Sequence, residues 1–235
     1  MKKLYLPFVL LSLILTGCLE STSSMLTNPA PKSGLDEKTV IAGLKEALNV
    51  GTKNAVSLVS KADGYYKNPR ISIPLPKDLK DVADTLKKIG LQKKVDEFVE
   101  TLNRAAEKAA PKAVDIFVDA VTKMTVQDAM GILKGKDDEA TRYFERKTRQ
   151  ALYEVFKPVV KKVLDEVGVT KLYKEILNAY NSIPGTKKIS FDLDDYATNK
   201  ALDGLFVMLA DEEKKIRRDP AARVTDLLRK VFGSV

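Results

Sequence analysis

The stretch ALDGLFVMLADEEKKIRR (residues 201–218) decides the fold of this 235-residue chain. Its apolar side chains recur every three or four residues, a spacing that places them on one face of an α-helix. They are Leu202, Leu205, Phe206 and Leu209. Together with the residues before it, the stretch predicts a helix over residues 193–218.

The same periodicity continues on both sides of this helix. It predicts a helix that begins at residue 35 and ends at Asp63-Gly64, then helices over 77–89, 92–110, 125–134, 138–167 and 169–180, and a last one from Pro220 to about Phe232. Short connections between helices are typical of a compact domain. We therefore expect an all-α, single, bundle-like domain over residues 35–235.

Two short segments depart from the helical period because their apolar residues alternate with other residues. One carries Ile71 and Ile73, and the other carries Ile189 and Phe191. Alternation with period two is the pattern of a half-buried strand, although the prolines at 74 and 76 restrict the first segment to an edge. The two segments predict one small two-stranded β ribbon.

Two charged residues interrupt the inward face of helix 193–218. On a helical wheel, Glu213 lies about 20° from Leu202, and Arg217 lies about 60° away. A partly desolvated carboxylate can take part in catalysis or ligand binding. The alternative, which we favour, is a structural ion pair that closes the end of the core.

A second polar group lies on helix 92–110. Asn103 and Glu107 are i,i+4 neighbours beside the buried stripe, whereas Arg104 is expected on the opposite, solvent-facing side. The group forms either a polar cleft or a set of helix-to-helix hydrogen bonds, and we favour the bonds. Asp128, in the short helix that follows the predicted N-cap Thr125, completes the candidate polar set.

The N-terminus has the pattern of an export signal. Lys2 and Lys3 precede an apolar run over residues 4–15, which is too short to span a bilayer. The tetrapeptide that ends at Cys18 resembles the lipobox of bacterial lipoproteins, which implies a signal peptide over residues 1–17 and fatty acylation of Cys18, with palmitate as a typical chain. Residues 18–34 form the lipidated cysteine and a flexible tether. Because Leu19 and not aspartate follows Cys18, the resemblance favours the outer membrane, with the domain facing the periplasm.

The composition excludes several classes of chemistry. The chain has no histidine, and Cys18 is its only cysteine, so Ser-His-Asp and Cys-His catalysis and the usual zinc sites are excluded. We predict no catalytic residue, metal or cofactor, because the acidic groups near residues 138 and 194 are better explained as helix caps. The net charge of +8 is interleaved with acids and carries no nucleic-acid signature, so no nucleic-acid partner is expected.

Three longer stretches resemble a known family. They are LNRAAE (102–107), DAMGILKGKDDEATRYF (128–144) and ALDGLFVMLADEEKKIRRDPAARVTDLLRKVFG (201–233). They are similar to the bacterial lipoprotein family described as domain of unknown function 4197, over about residues 35–233. The resemblance implies an all-α envelope protein of Gram-negative type and implies no activity.

The sequence is compatible with three functions. The favoured hypothesis is a membrane-anchored, non-enzymatic binding or scaffold module that contacts an envelope protein, lipid or wall polymer. The first alternative is a carboxylate-dependent hydrolase of peptidoglycan or glycans, with Glu107, Glu145 or Glu213 as the acid. The second alternative is a carrier of an apolar ligand held between helices.

Overall fold

Long amphipathic helices build the domain, as their sequence period requires. The computed structural model describes residues 36–88, 90, 92–171, 173–174, 178 and 191–233. Within these residues eight α-helices have defined bounds: α1 Glu37–Val59, α2 Lys80–Lys88, α3 Gln92–Ala109, α4 Ala113–Thr122, α5 Val126–Lys134, α6 Glu139–Glu166, α7 Leu193–Arg218 and α8 Asp226–Phe232. The described residues contain no strand, and the all-α fold class is confirmed.

The β ribbon is not formed by the residues that the structure describes. Ile71 lies in a turn, and residues 72–76 have no regular secondary structure and pair with no strand among the described residues. In the second segment, Leu193 is the first residue of α7, and Ile189 lies outside the described residues. The prolines at 74 and 76 lack a backbone N–H donor. Ile71 and Ser72 donate to the carbonyl oxygen of Asn68, and the backbone of Ile73 bonds to the side chain of Asn103.

Some helix ends follow the predicted caps and others do not. Helix α1 ends at Val59 with Ser60 as its C-cap, before the predicted end at Asp63-Gly64. The side chain of Asp192 accepts a hydrogen bond from the backbone of Asp195 at the start of α7. Thr125 caps α5, which ends at Gly135. The last helix differs from the prediction, because Pro220 begins only a short 3-10 turn and α8 starts separately after its own cap, Thr225.

The core lies where α6 and α7 pack against each other along their length. They run antiparallel, since Lys157 contacts Asp192 near one end and Ala140 contacts Glu213 near the other. Helix α1 packs on α7, and α3 packs on α6. The ring of Phe117 from α4 lies 5.2 Å from Phe144 and 6.0 Å from Phe206, so three helices share one aromatic centre.

Some predictions fall on residues that the structure leaves undescribed. The signal peptide (1–17), Cys18 and the tether (18–34) are among them, as is most of the predicted helix 169–180. Of that helix, residues 169–171, 173–174 and 178 are described and are helical. Among the described helices, none is long and apolar enough to cross a membrane.

Candidate functional site

Asn103 holds an extended segment against α3. This side chain is fully buried, and its Oδ1 accepts a hydrogen bond from the backbone N–H of Ile73 at 2.7 Å. Its Nδ2 donates to the carbonyl oxygen of Ile73 at 3.0 Å and to that of Val99 at 2.8 Å. The amide therefore supplies both bonds that a neighbouring strand would have given to Ile73.

Glu107 fixes the start of the same segment, one turn further along α3. Its Oε1 accepts bonds from the backbone N–H groups of Tyr65 at 3.1 Å and Tyr66 at 3.3 Å. The Tyr65 hydroxyl donates to the carbonyl of Ala201 on α7 at 2.6 Å. Complete burial, together with the charge of Glu107, raises the pKa of Tyr65, which keeps this phenol protonated as a donor.

Arg104 is not on a solvent-facing side, and this corrects the prediction. Its side chain is 31 % exposed and donates to Glu107 at 2.8 Å, to Glu100 at 3.0 Å and to Asp63 at 2.7 Å. The guanidinium also lies 5.5 Å from the centre of the Tyr66 ring. The cause is the segment after α1, which folds over this side of α3 and brings Asp63 and Tyr66 to the arginine.

Asp63 has an unusual backbone that makes this arrangement possible. Its φ of 68° lies in the left-handed region, which aspartate tolerates better than most residues. Hydrogen bonds from Lys67 and Arg104 lower the pKa of this carboxyl. The sequence indicated only a helix end at Asp63-Gly64, since nothing in a local pattern reveals a partner 41 residues away.

Glu213 caps a helix other than its own. Its Oε1 accepts from the backbone N–H of Ala140, and its Oε2 accepts from the backbone and the hydroxyl of Thr141, each at 2.9 Å. These residues form the first turn of α6, whose own N-cap, Asp138, makes no capping bond with its side chain. A carboxylate at this place satisfies free N–H groups and complements the helix dipole.

Arg217 links the same carboxylate to a third helix. Its Nη2 donates to Glu213 at 2.9 Å and to the carbonyl oxygen of Ile132 at 2.7 Å. Ile132 lies in the last turn of α5, and its carbonyl oxygen also accepts the backbone N–H of the C-cap Gly135 at 3.1 Å. The pair therefore binds the end of α5 and the start of α6 to α7, an arrangement that matches the structural ion pair favoured above.

Asp128 lies apart from both groups, at the start of α5. Its Oδ2 accepts from the backbone and the hydroxyl of Thr125, and Thr125 in turn accepts from the backbone of Asp128. This reciprocal capping box lowers the pKa of Asp128, mainly through the Thr125 hydroxyl. The six candidates thus occupy three places: Asn103, Arg104 and Glu107 together, Glu213 with Arg217, and Asp128 at its own helix cap.

The described cavities next to Glu213 are too small for a substrate. Two cavities next to Glu213 have volumes of about 20 and 10 Å³. A cavity of this size holds about one water molecule. Glu145, the third candidate acid, lies at the surface with its side chain 46 % exposed and pairs with Arg149 at 2.9 Å. In the described part of the chain, no group of three or more acidic or cysteine side chains is arranged to hold a metal.

Comparison with known proteins gives one family. No curated protein and no solved structure matches the chain. One family model matches residues 34–233, which is most of the sequence, and its description is "Protein of unknown function (DUF4197)". The three stretches that carry the resemblance contain Asn103, Glu107, Asp128, Glu213 and Arg217, so the contacts between segments described above fall within the matched region. The chain belongs to the DUF4197 family.

Proposed function

We propose that this protein is a lipid-anchored, non-enzymatic binding or scaffold module of the bacterial cell envelope. Its anchor is the acylated Cys18, and its helical domain faces the periplasm from the outer membrane. The non-enzymatic part of the proposal rests on the hydrogen bonds and ion pairs of the two buried acids. Glu107 and Glu213 both accept backbone N–H bonds from another segment and pair with an arginine on their own helix.

A catalytic acid or base needs an oxygen that can reach a substrate. Each oxygen of Glu213 already accepts at least two hydrogen bonds, and its side chain is 7 % exposed. Glu107 is equally enclosed, at 5 % exposure. These acids bind neighbouring segments to their own helices. The domain would then act through its surface, by binding another molecule.

The anchor is tested by moving the thiol. We expect the wild-type protein to incorporate a labelled fatty acid and to fractionate with membranes, because the lipobox-like LTGC places Cys18 at the cleavage site. A Cys18→Ser variant should lose both properties. The matched control is Cys18→Ser combined with Ser21→Cys, which keeps one thiol three residues later and should also stay unlabelled. A Cys18→Ser variant that still carries label would overturn the anchor.

The non-enzymatic role is tested with purified protein and peptidoglycan. We expect wild-type protein to release no soluble fragments above a buffer control. If fragments are released, Glu107→Gln and Glu213→Gln are compared with Glu100→Gln, whose carboxylate is more exposed at 45 % and pairs with the same Arg104. Release by the wild-type protein above the buffer control would refute the proposal. Loss of that release in a buried-acid variant that far-UV circular dichroism shows to be folded would identify the acid.

A further inference from the structure

The turn between α2 and α3 carries an unusual concentration of positive charge. Lys87 and Lys88 end α2, and Lys93 and Lys94 lie in the first turn of α3. Gly90, with φ of 84°, lies in the turn, and its N–H donates to the carbonyl of Lys87 at 3.0 Å. All four lysines are exposed, and within the described residues no ion pair involves Lys87, Lys88 or Lys93. Their charge is therefore available to an anionic partner.

A small groove with a mixed apolar and charged lining adjoins Lys94. It has a volume of about 60 Å³ and lies between the start of α3 and the residues that follow α6. Phe98 and Val169 line it, together with Val167, which is 50 % exposed. Lys94 forms part of its wall and pairs with Glu97 at 3.0 Å, while Asp96 accepts a bond from Gln92. Lys94 is thus the one lysine among the described residues in the wall of the groove, and Lys93 precedes it in the first turn of α3.

We propose that this lysine-rich surface docks on an anionic phospholipid membrane. Lysine ammonium groups beside a shallow apolar face are the combination that binds a bilayer interface, because the charges meet lipid phosphates and the apolar side chains enter the headgroup region. A single small molecule would need an enclosed pocket with polar groups aimed into it. This open groove with lysines at its edge fits an extended, negatively charged surface better.

The proposal rests on the proposed lipid anchor, which supplies the membrane. The docking surface lies at the end of the domain where α6 stops, whereas Leu44 of α1 lies near Glu213 and Ala140 at the other end. Helix α6 has 28 residues, so the two ends are about 42 Å apart. The chain from Cys18 to Asp36 spans up to about 60 Å when extended. An anchored domain can therefore reach the bilayer with either end.

The test separates docking from anchoring by using residues 35–235 alone. This segment forms one compact unit that contains every described helix and lacks Cys18. We expect it to sediment with vesicles of phosphatidylcholine mixed with phosphatidylglycerol, and not with phosphatidylcholine alone. Each lysine near such a surface contributes about 1 kcal/mol, so changing Lys87, Lys88 and Lys93 to Gln should weaken binding roughly 100-fold.

A charge-matched control changes three other exposed lysines, Lys53, Lys108 and Lys214, to Gln. These carry no ion pair within the described residues, and their loss should weaken binding far less. Equal losses in the two triple variants, or equal binding to both kinds of vesicle, would refute the proposal. Failure of the fatty-acid labelling of Cys18 would refute the anchor instead, since this segment does not contain the cysteine.

A further variant distinguishes a membrane from a soluble polyanion. Val167→Ser removes half-exposed apolar surface without changing charge, and it should weaken vesicle binding about fivefold. Binding through charge alone would not respond to this change. An unaltered vesicle affinity in Val167→Ser would show that the groove does not enter the headgroup region and would overturn the proposed docking through both charge and apolar surface. Far-UV circular dichroism of every variant checks that the helices are retained.

Discussion

At the scale of single residues, the buried charges act as connectors between segments. Glu213 and Arg217 are i,i+4 neighbours on α7, yet most of their hydrogen bonds go to the backbone of α5 and α6. Glu107 and Arg104 likewise bind the segment that follows α1. Glu107 accepts a bond from the backbone of Tyr65, and Arg104 donates to the carboxylate of Asp63. Buried ion pairs add little stability by themselves, but breaking one leaves a charge that is desolvated and unpaired.

Glu213→Gln should therefore be strongly destabilising. We expect the free energy of unfolding to fall by about 3 kcal/mol, because Arg217 loses its counter-charge and the first turn of α6 loses a charged acceptor. Urea denaturation followed by circular dichroism measures this. Glu145→Gln, at a surface pair with Arg149, serves as the control and should change stability by less than about 0.5 kcal/mol. Equal effects of the two substitutions would contradict the role assigned to Glu213.

The N-cap of α7 should make stability depend on pH. The bond from the backbone N–H of Asp195 holds the pKa of Asp192 below its usual value, with help from Lys157 and against the effect of partial burial. Because the pKa is lower in the folded state, this contribution is complete above the unfolded pKa of about 3.9 and is lost as the pH falls through the folded value.

Asp192→Ala should consequently cost about 1 kcal/mol at neutral pH and progressively less in acid. Urea midpoints measured across the acidic range check this difference. Asp192→Asn keeps a capping oxygen without the titrating charge, so at pH 7 it should cost less than Asp192→Ala, and it should flatten the pH dependence. A cost of Asp192→Ala that stays constant into strong acid would show that the carboxylate charge is irrelevant.

At the scale of helices, sequence period and cap residues gave most element ends, including the bounds of α7 and the cap of α5. The structural features that the sequence did not predict lie in segments without a helical hydrophobic period. The extended stretch near Ile73 resembles a strand because its apolar residues alternate, but a side chain of α3 takes the place of a partner strand. Alternation reports which side chains are buried and not what supplies the backbone hydrogen bonds.

Close approach between α7 and this stretch depends on Gly204. A Cβ at that position would lie 2.6 Å from the ring of Tyr65 and 3.1 Å from the Cβ of Ile71. Gly204→Ala should lower the free energy of unfolding by about 1–3 kcal/mol through overpacking. Gly131→Ala is the matched control, because nothing lies within 4 Å of its added Cβ, and it should gain about 0.5–1 kcal/mol of helix stability. Thermal or urea unfolding measures the stability of both variants. A stabilising effect of Gly204→Ala would contradict the close contact of Gly204 with Tyr65.

At the scale of the whole molecule, one continuous core joins the described helices other than α2. The aromatic contact of α4, α6 and α7, with α1 and α3 packed on either side, leaves no apolar boundary between groups of helices. The candidate residues lie in three separate places, where they form hydrogen bonds between segments, and they do not line one cleft.

A single core predicts cooperative unfolding of residues 35–235. We expect the urea transition followed by tyrosine fluorescence, in a segment with seven tyrosines and no tryptophan, to coincide with the one followed by far-UV circular dichroism. Several tyrosines lie near the segment after α1, whereas the helical signal reports the entire domain. Two separated transitions would show that this segment and the helices unfold independently.

The sequence by itself determined the helical class, the position of the main helices and the inward placement of Glu213, because these follow from local periodicity along one chain. It also placed Asn103 and Glu107 beside a buried stripe. Only the tertiary structure decided what these side chains bind: Ile73, the Tyr65–Tyr66 backbone, and the ends of α5 and α6. The physical reason is distance along the chain, since a hydrogen bond between residues 30 or 73 positions apart leaves no periodic trace in either segment.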